Sequence, residues 1–399
     1  MEQLTRKLPN WIDAFMHYTE NSEPPKLFRK WTALSCISAA LQRKCYINWG
    51  TALTFYPNLY IVLVGPSATG KGTAMNPGLD ILKAIPAIRL SAQSTSLQAL
   101  IRHLKDNNLT DVDPVTSKQF YHSSLTIFSK EFTVFLGYHN NELMAALCDW
   151  YDCDSRWAYE TISRKREEII GVWVNLFGAT TPDLIQSSLP VDSIGGGLTS
   201  RIIFVYEEKK DKLVTIPVQS PKNKELKELL IKDLEKVAML SGEFKFTEGF
   251  AAKWHDWCIE ADENPPFHDS KFDGYNGRRR THLMKLSMIM SAAHGQHDLI
   301  LTADDLDEAI KCLEEVEVKM GLVFRGVGKS DIASLINKVT HFLMSSEVKE
   351  VPYFQFARHF SSDMDKFMMD RVLKTLEVSH VAKVITRPGN EPTIKLIGN

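Results

Sequence analysis

Nothing in the 399 residues approaches the roughly 18 uninterrupted apolar residues of a membrane span. The first residues, MEQLTRKLPNWIDAF, hold no long apolar h-region, so they do not read as a signal peptide. Charge of one sign is also scarce. The formal net charge is -2, whereas a protein that coats nucleic acid with its whole surface is usually far more basic. Any nucleic-acid contact has to come from local patches. None of the six cysteines forms a CxxC pair, which removes zinc spacing and favours reduced thiols in a cytosolic chain. No internal repeat or low-complexity tract is present, so solenoid and disordered classes are out.

What is there reads as an ordinary globular composition, 44% hydrophobic and 24% charged, with length for about two or three domains. Trp11, Ala14, Phe15 and Tyr18 fall at helical spacing, and a second helix is predicted over 26–43. Continuous apolar runs at 59–64, 125–128, 172–177 and 202–206 fit strands buried on both faces of a parallel sheet. Helical stretches at 95–105 and 142–151 separate them, which predicts an α/β layered fold. From about Glu207 to Arg325 the pattern becomes all-helical. Residues 325–330 read as a linker. The segment beyond predicts three helices and two short strands about a Pro-Gly-Asn turn, a winged-helix pattern. It carries nine basic against eight acidic residues, weak for DNA binding.

The most specific signal follows the 59–64 run. Gly65, Pro66, Ser67, Ala68, Thr69, Gly70 and Lys71 have the G-x-x-x-x-G-K spacing of a P-loop, continued by Gly72 and Thr73. Its glycines let backbone N–H groups face phosphate oxygens, Lys71 adds a point charge, and the next helix adds its positive N-terminus. Gly72 stands where a Ser or Thr usually binds magnesium, so Thr73 is the candidate ligand, with Ser67 as the alternative. A P-loop ATPase also needs an acid at the tip of a second buried strand, and Glu131 supplies it as the group that polarises water. Lys130 replaces the usual preceding Asp, leaving Asp149, Asp152 or Asp154 as substitutes. Thr181, before Pro182, ends a third strand with a hydroxyl. Arg201 opens a fourth after the Gly195-Gly-Gly loop, where an arginine finger or a structural ion pair would both fit. His294-Gly-Gln-His297 lacks a nearby third ligand and reads as a loop.

Taken together, the run at 27–43, TALTFYPNLYIVLVGPSATGKGTA, FGATTPD and GGGLTSRIIFVYEE resemble the helicase-like ATPase domain of phage and prophage replication proteins. That resemblance covers roughly residues 10–320, and the order of motifs is also similar to AAA+ enzymes of the minichromosome-maintenance type. That resemblance implies an N-terminal helical segment (1–48), an AAA+ P-loop ATPase core (49–210), a helical lid (211–325) and a winged-helix domain (330–399). It implies ATP and Mg2+ as ligands, and a sensor arginine within Arg278-Arg-Arg280, with Arg280 the first choice. It also implies a hairpin over 157–170 whose basic tip, Arg164, Lys165 and Arg166, touches DNA backbone in a ring channel.

The expectation is an ATP-dependent helicase or translocase acting on single-stranded DNA. It would work as a ring, a hexamer by the resemblance, in the cytoplasm of a bacterial host, with no membrane role and with a primase as a candidate partner. The competing reading is an ATP-switched origin-binding initiator or loader. A small-molecule kinase, suggested by GKGT alone, leaves the triple-Gly loop and Arg201 unexplained.

Overall fold

In the computed structural model the described residues are all except 1–5, 93–94, 113–116, 138–139, 162–163, 189–194, 217, 219, 296–298, 325–330, 347–349, 362, 388, 390 and 398–399. The side chains of 161, 164–165, 186–188, 331–334 and 337 are also outside the description. The fold is mixed α/β, in two compact units, Met1–Arg325 and Gly326–Asn399.

The larger unit opens with α1 (Trp11–Tyr18), whose N-cap Asn10 accepts from Ile12 N and Asp13 N. The Ser22-Glu23-Pro24-Pro25 break then leads into α2 (Lys26–Leu41), which is buried along most of its length. β1 (Cys45–Trp49) and β2 (Leu53–Phe55) form a short antiparallel pair. Next come β3 (Tyr60–Val64), the Gly-rich loop, α3 (Lys71–Lys83) and α4 (Leu97–Asp106). β4 (Asn108–Val112) and β5 (Gln119–Ser129) follow, then α5 (Phe132–Leu136) and α6 (Asn141–Asp152). β6 (Arg156–Thr161) and β7 (Arg164–Ile170) make a separate hairpin. β8 (Val172–Thr180), α7 (Pro182–Ser188) and β9 (Ile202–Tyr206) complete the α/β part.

The central sheet has the order β4-β5-β8-β3-β9. β5, β8, β3 and the edge strand β9 are parallel; β4, the other edge, runs antiparallel to β5. β3, β8 and β9 are buried at every residue, as strands covered on both faces must be. β3 lies between β8 and β9, both later in the chain, so crossovers depart to either side and leave a crevice beyond its carboxyl end.

The expected helical stretch contains α8 (Pro221–Val237), α9 (Glu248–Glu263), α10 (Asp273–Ala293) and α11 (Ala303–Met320). It is not purely helical. β10 (Gly242–Glu243) pairs with β1, and β11 (Lys245–Phe246) pairs with β12 (Ile300–Leu301). Two-residue strands carry no periodicity, which is why the sequence pattern passes over them. The stretch also packs into the same unit as the sheet. Trp11 Nε1 donates to Leu230 O at 2.9 Å, and the buried Asp233 carboxylate accepts from Lys7 N and Leu8 N.

The smaller unit has α12 (Asp331–Ser345), β13 (Glu350–Pro352), α13 (Tyr353–Phe360), α14 (Lys366–Val378), β14 (Ala382–Ile385) and β15 (Thr393–Leu396). Its sheet order is β13-β15-β14, one strand more than expected. Val339, Phe356, Val372, Leu376 and Ile394 centre a core of its own. The expected linker and the Pro388 and Asn390 of the expected turn fall outside the described residues.

Candidate functional site

The Gly-rich loop curls because two of its glycines have no alternative. Gly70 sits at φ +86°, in the left-handed region, directly before α3. A Cβ on Gly65 would lie 2.3 Å from the Glu207 carbonyl oxygen, where β9 ends beside β3. Thr69 closes the curl, its hydroxyl donating to Pro66 O at 2.9 Å. Lys71 then folds back into it. Its Nζ donates to Gly65 O at 2.7 Å and to Pro66 O at 2.8 Å. Partial burial lowers the Lys71 pKa, and the nearby Glu131 carboxylate opposes that shift. Ser67, Ala68 and Thr73 are exposed around this centre, and Gly72 faces the Lys130 side chain, whose Cδ would lie 4.0 Å from an added Cβ.

Two further strand ends meet here. Glu131 follows β5 and is the exposed N-cap residue of α5. At the end of β8, Thr180 O accepts from Gly65 N at 3.4 Å, and the buried hydroxyls of Thr180 and Thr133 are 3.4 Å apart. Thr181 itself is half-buried, and its carbonyl accepts from Ile185 N at the start of α7. The structure thus brings Gly65–Thr73, Glu131 and Thr181 to the carboxyl end of one sheet. Pro24 was not legible as part of this site. It lies 3.2 Å from where a Gly70 Cβ would be, and the Pro24-Pro25 pair is the only signal of it in the chain.

Arg201 lies elsewhere. β9 is parallel to β3, with Ile202 opposite Tyr60 and Tyr206 opposite Val64. Arg201 precedes β9 and the loop follows β3, so the sheet separates them by roughly 15 Å at about 3.3 Å per residue. The Arg201 guanidinium pairs with Asp152 at 2.5 Å and donates to Gly197 O at 3.0 Å. Arg278 Nη1 is 3.7 Å from the same carboxylate and its Nε donates to Ser200 Oγ at 3.1 Å. Asp152 is therefore held between two arginines, at the amino end of the strands. Asp149 accepts from Trp157 Nε1 at 3.0 Å, and Asp154 is exposed just before the hairpin. Neither Asp149 nor Asp152 contributes a carboxylate to the Lys71 centre.

The arginine triplet resolves into three environments because successive helical residues point about 100° apart. Arg278 reaches Ser200 and Asp152. Arg279 is buried against Glu317, at 2.7 and 2.8 Å. Arg280 is exposed, donating to Cys258 O and pairing with Asp262 at 3.2 Å. Arg280, the first choice from the sequence, thus faces α9, and Arg278 is the member near Arg201.

Behind these arginines lies a buried polar chain that periodicity did not reveal. His282 Nδ1 is 3.1 Å from Tyr151 Oη, and its Nε2 is 3.2 Å from Ser200 O, so the neutral ring accepts from the phenol and donates to the carbonyl. Burial pushes its pKa down to about 3. The Lys285 ammonium bonds to Asn58 Oδ1 and sits 4.3 Å over the Tyr151 ring. Burial brings its pKa down to about 8, with Cys153 and Asp152 opposing.

The β6–β7 hairpin is present, with Thr161 opposite Arg164 next to its turn. Arg166 is exposed; the Arg164 and Lys165 side chains lie outside the description. His294 pairs with Asp305 at 3.1 Å and Glu308 at 3.3 Å, and His297 is outside the described residues. Among the described residues, no cluster of three His, Cys, Asp or Glu side chains could hold a metal, and no helix is long and apolar enough to cross a membrane. No protein-family model matches this chain, and no curated protein matches it.

Proposed function

We propose that this chain is a P-loop ATPase of AAA+ type that translocates along or unwinds single-stranded DNA as a ring oligomer. The observation that carries the ATPase reading is the Lys71 ammonium, held inside the loop between β3 and α3 with Glu131 beside it. The loop already encloses a cation, so an anion of phosphate size meets charge and backbone N–H groups with little rearrangement.

Mg2+ and ATP, when bound, supply the phosphoanhydride bond and its charge-neutralising metal. Lys71 would exchange its carbonyl partners for phosphate oxygens. Thr73 is one turn into α3 with its hydroxyl exposed; a magnesium ion needs only one or two protein ligands when phosphates complete its shell. Glu131 would accept a proton from water at the end of β5. Thr181 would orient that water or a phosphate oxygen. Arg201 faces the opposite end of the sheet from its own Lys71, so its catalytic use would be at a neighbouring subunit's site, after release from Asp152. The smaller unit is read as a winged helix and the β6–β7 tip as the phosphate-gripping element.

The test is the ATPase rate with and without single-stranded DNA, with particle mass measured alongside. Wild-type protein is expected to hydrolyse ATP faster with DNA and to run as an oligomer. Lys71→Ala, folded by circular dichroism, should be inactive, and Glu131→Gln should bind ATP while hydrolysing it poorly. Substantial hydrolysis by Lys71→Ala would remove the P-loop assignment. A slow, DNA-independent rate in the wild type would move the reading to the ATP-switched initiator.

A further inference from the structure

A cavity of about 540 Å3 opens at the amino end of the sheet, away from the Lys71 loop. That volume lies within the roughly 300–1,000 Å3 of small-ligand sites. The segments that lead into β3, β5 and β8 form its wall, and the root of the β6–β7 hairpin forms its rim, through Arg156 and Ile170.

The lining has an unusual chemistry for a chain of net charge -2. Arg43, Lys44, Lys118 and Arg156 line it, the buried Lys44 ammonium bonding to Ala238 O, and among the described residues no carboxylate does. Asp111 and Glu168 approach Lys44 and Arg156 from outside, at 3.9 and 3.6 Å. Four aromatic residues share the lining with the cations: Tyr46, Tyr56, Phe120 and Tyr121. In the inner part Arg43 is tied down. Arg43 donates to Cys153 O and to Val172 O at 2.5 and 2.9 Å, and lays its guanidinium 4.3 Å over the Tyr56 ring. The outer part is open, with Tyr121 50% exposed and the Arg156 side chain 72% exposed. A chain could therefore enter and leave.

Aromatic faces interleaved with cations suit a flat base joined to a phosphate; a simple anion would not use the rings, and an apolar ligand would not use the charges. We propose that this cavity holds one nucleotide unit of a single-stranded nucleic acid, the base against the tyrosines and the backbone phosphate at Arg156 and Lys118. The proposal rests on the DNA reading above and extends it. A strand held by the basic tip of the hairpin would have its next fixed point at the hairpin's root.

The experiment uses the full chain and a labelled oligothymidine of about 15 nucleotides, followed by fluorescence anisotropy across a salt series. Tyr121→Ala and Arg156→Gln alter exposed side chains, so both variants should fold and keep basal ATPase activity. Tyr121→Ala should weaken binding about tenfold or more. Arg156→Gln should reduce the log–log salt slope by about 0.7. Oligomers carrying 4-thiothymidine should crosslink within residues 43–56 or 118–121. If wild type binds the oligomer, but both variants match it and crosslinks map elsewhere, the cavity assignment is overturned and the DNA reading stands. If wild type binds no oligomer, the DNA reading itself falls. Binding of thymidine 5′-monophosphate alone, weakened by Tyr121→Ala, would then mark a free-nucleotide site and overturn the strand assignment.

Discussion

His282 shows how much one buried side chain can impose. Its ring is enclosed by Tyr151 and the Ser200 carbonyl, with Lys285, Arg278 and Arg201 all disfavouring a further positive charge. The folded-state pKa, about 3, lies below the ordinary histidine value near 6.5. Between those limits the unfolded chain takes up a proton that the folded chain refuses, so stability falls as pH drops from about 6.5 towards 3. One such group contributes a slope approaching about 1.4 kcal/mol per pH unit. His122, pushed down to about 4 chiefly by burial, adds the same sign. His294 has the opposite sign: its bond to Asp305 raises its pKa, a contribution present below the unfolded value and lost as pH rises through the folded one. The expected result is a lower urea midpoint at pH 5 than at pH 7. His282→Gln should be less stable at pH 7 but lose less between the two. An unchanged pH slope in His282→Gln would place the acid sensitivity elsewhere.

At the level of elements, α10 is the piece that joins the sheet to the helical stretch. Its Arg278 side meets Ser200 just before β9, and its Arg279 side meets α11. Arg279 and Glu317 are 8% and 5% exposed, and the Tyr275 hydroxyl also donates to Glu317 at 3.0 Å. Trp257 of α9 completes the site, its ring 5.1 Å from the Arg279 guanidinium. Removing one partner of a buried pair leaves the other charge uncompensated, at a cost of about 3–5 kcal/mol. Arg279→Ala should lower stability by that amount in chemical denaturation. Arg279→Met with Glu317→Leu should recover much of it, because both charges then leave together. Equal loss in the single and double variants would show that packing against Trp257, rather than charge, sets the cost.

For the whole molecule, the decisive fact is that Lys71 and Arg201 occupy opposite ends of parallel neighbours. A single chain cannot bring them together without dismantling the sheet, so a shared active site requires two copies. On the proposed ATPase reading, mixing Arg201→Ala with Lys71→Ala protein should restore part of the activity that each lacks alone, since one kind of interface would regain an intact loop and an intact arginine. An arginine finger is worth on the order of 10³-fold in rate, so each parent should be almost inactive. A lack of rescue in demonstrably mixed oligomers would leave Arg201 as a purely structural partner of Asp152.

Local chemistry marked the strands at 60–64, 172–180 and 202–206, because a strand covered on both faces is largely apolar, and the buried Asn175 of the second is hydrogen-bonded to Ser38. It also marked the loop, since a tight backbone curl needs glycine where φ is positive, as at Gly70. Helix positions were legible too, where caps such as Thr302, with Asp305 answering it, mark a boundary within four residues. What the tertiary structure decided was every question of partnership. Asp152 and Glu131 are both acids near the ends of apolar stretches, yet two arginines hold one and the other stands beside Lys71. Arg278, Arg279 and Arg280 are equivalent in composition and differ only in which way a 100° step turns them. The cavity at the hairpin root draws on segments more than a hundred residues apart. Charge pairing and cavity walls depend on distances through space, and sheet order sets those distances after the local pattern has been spent.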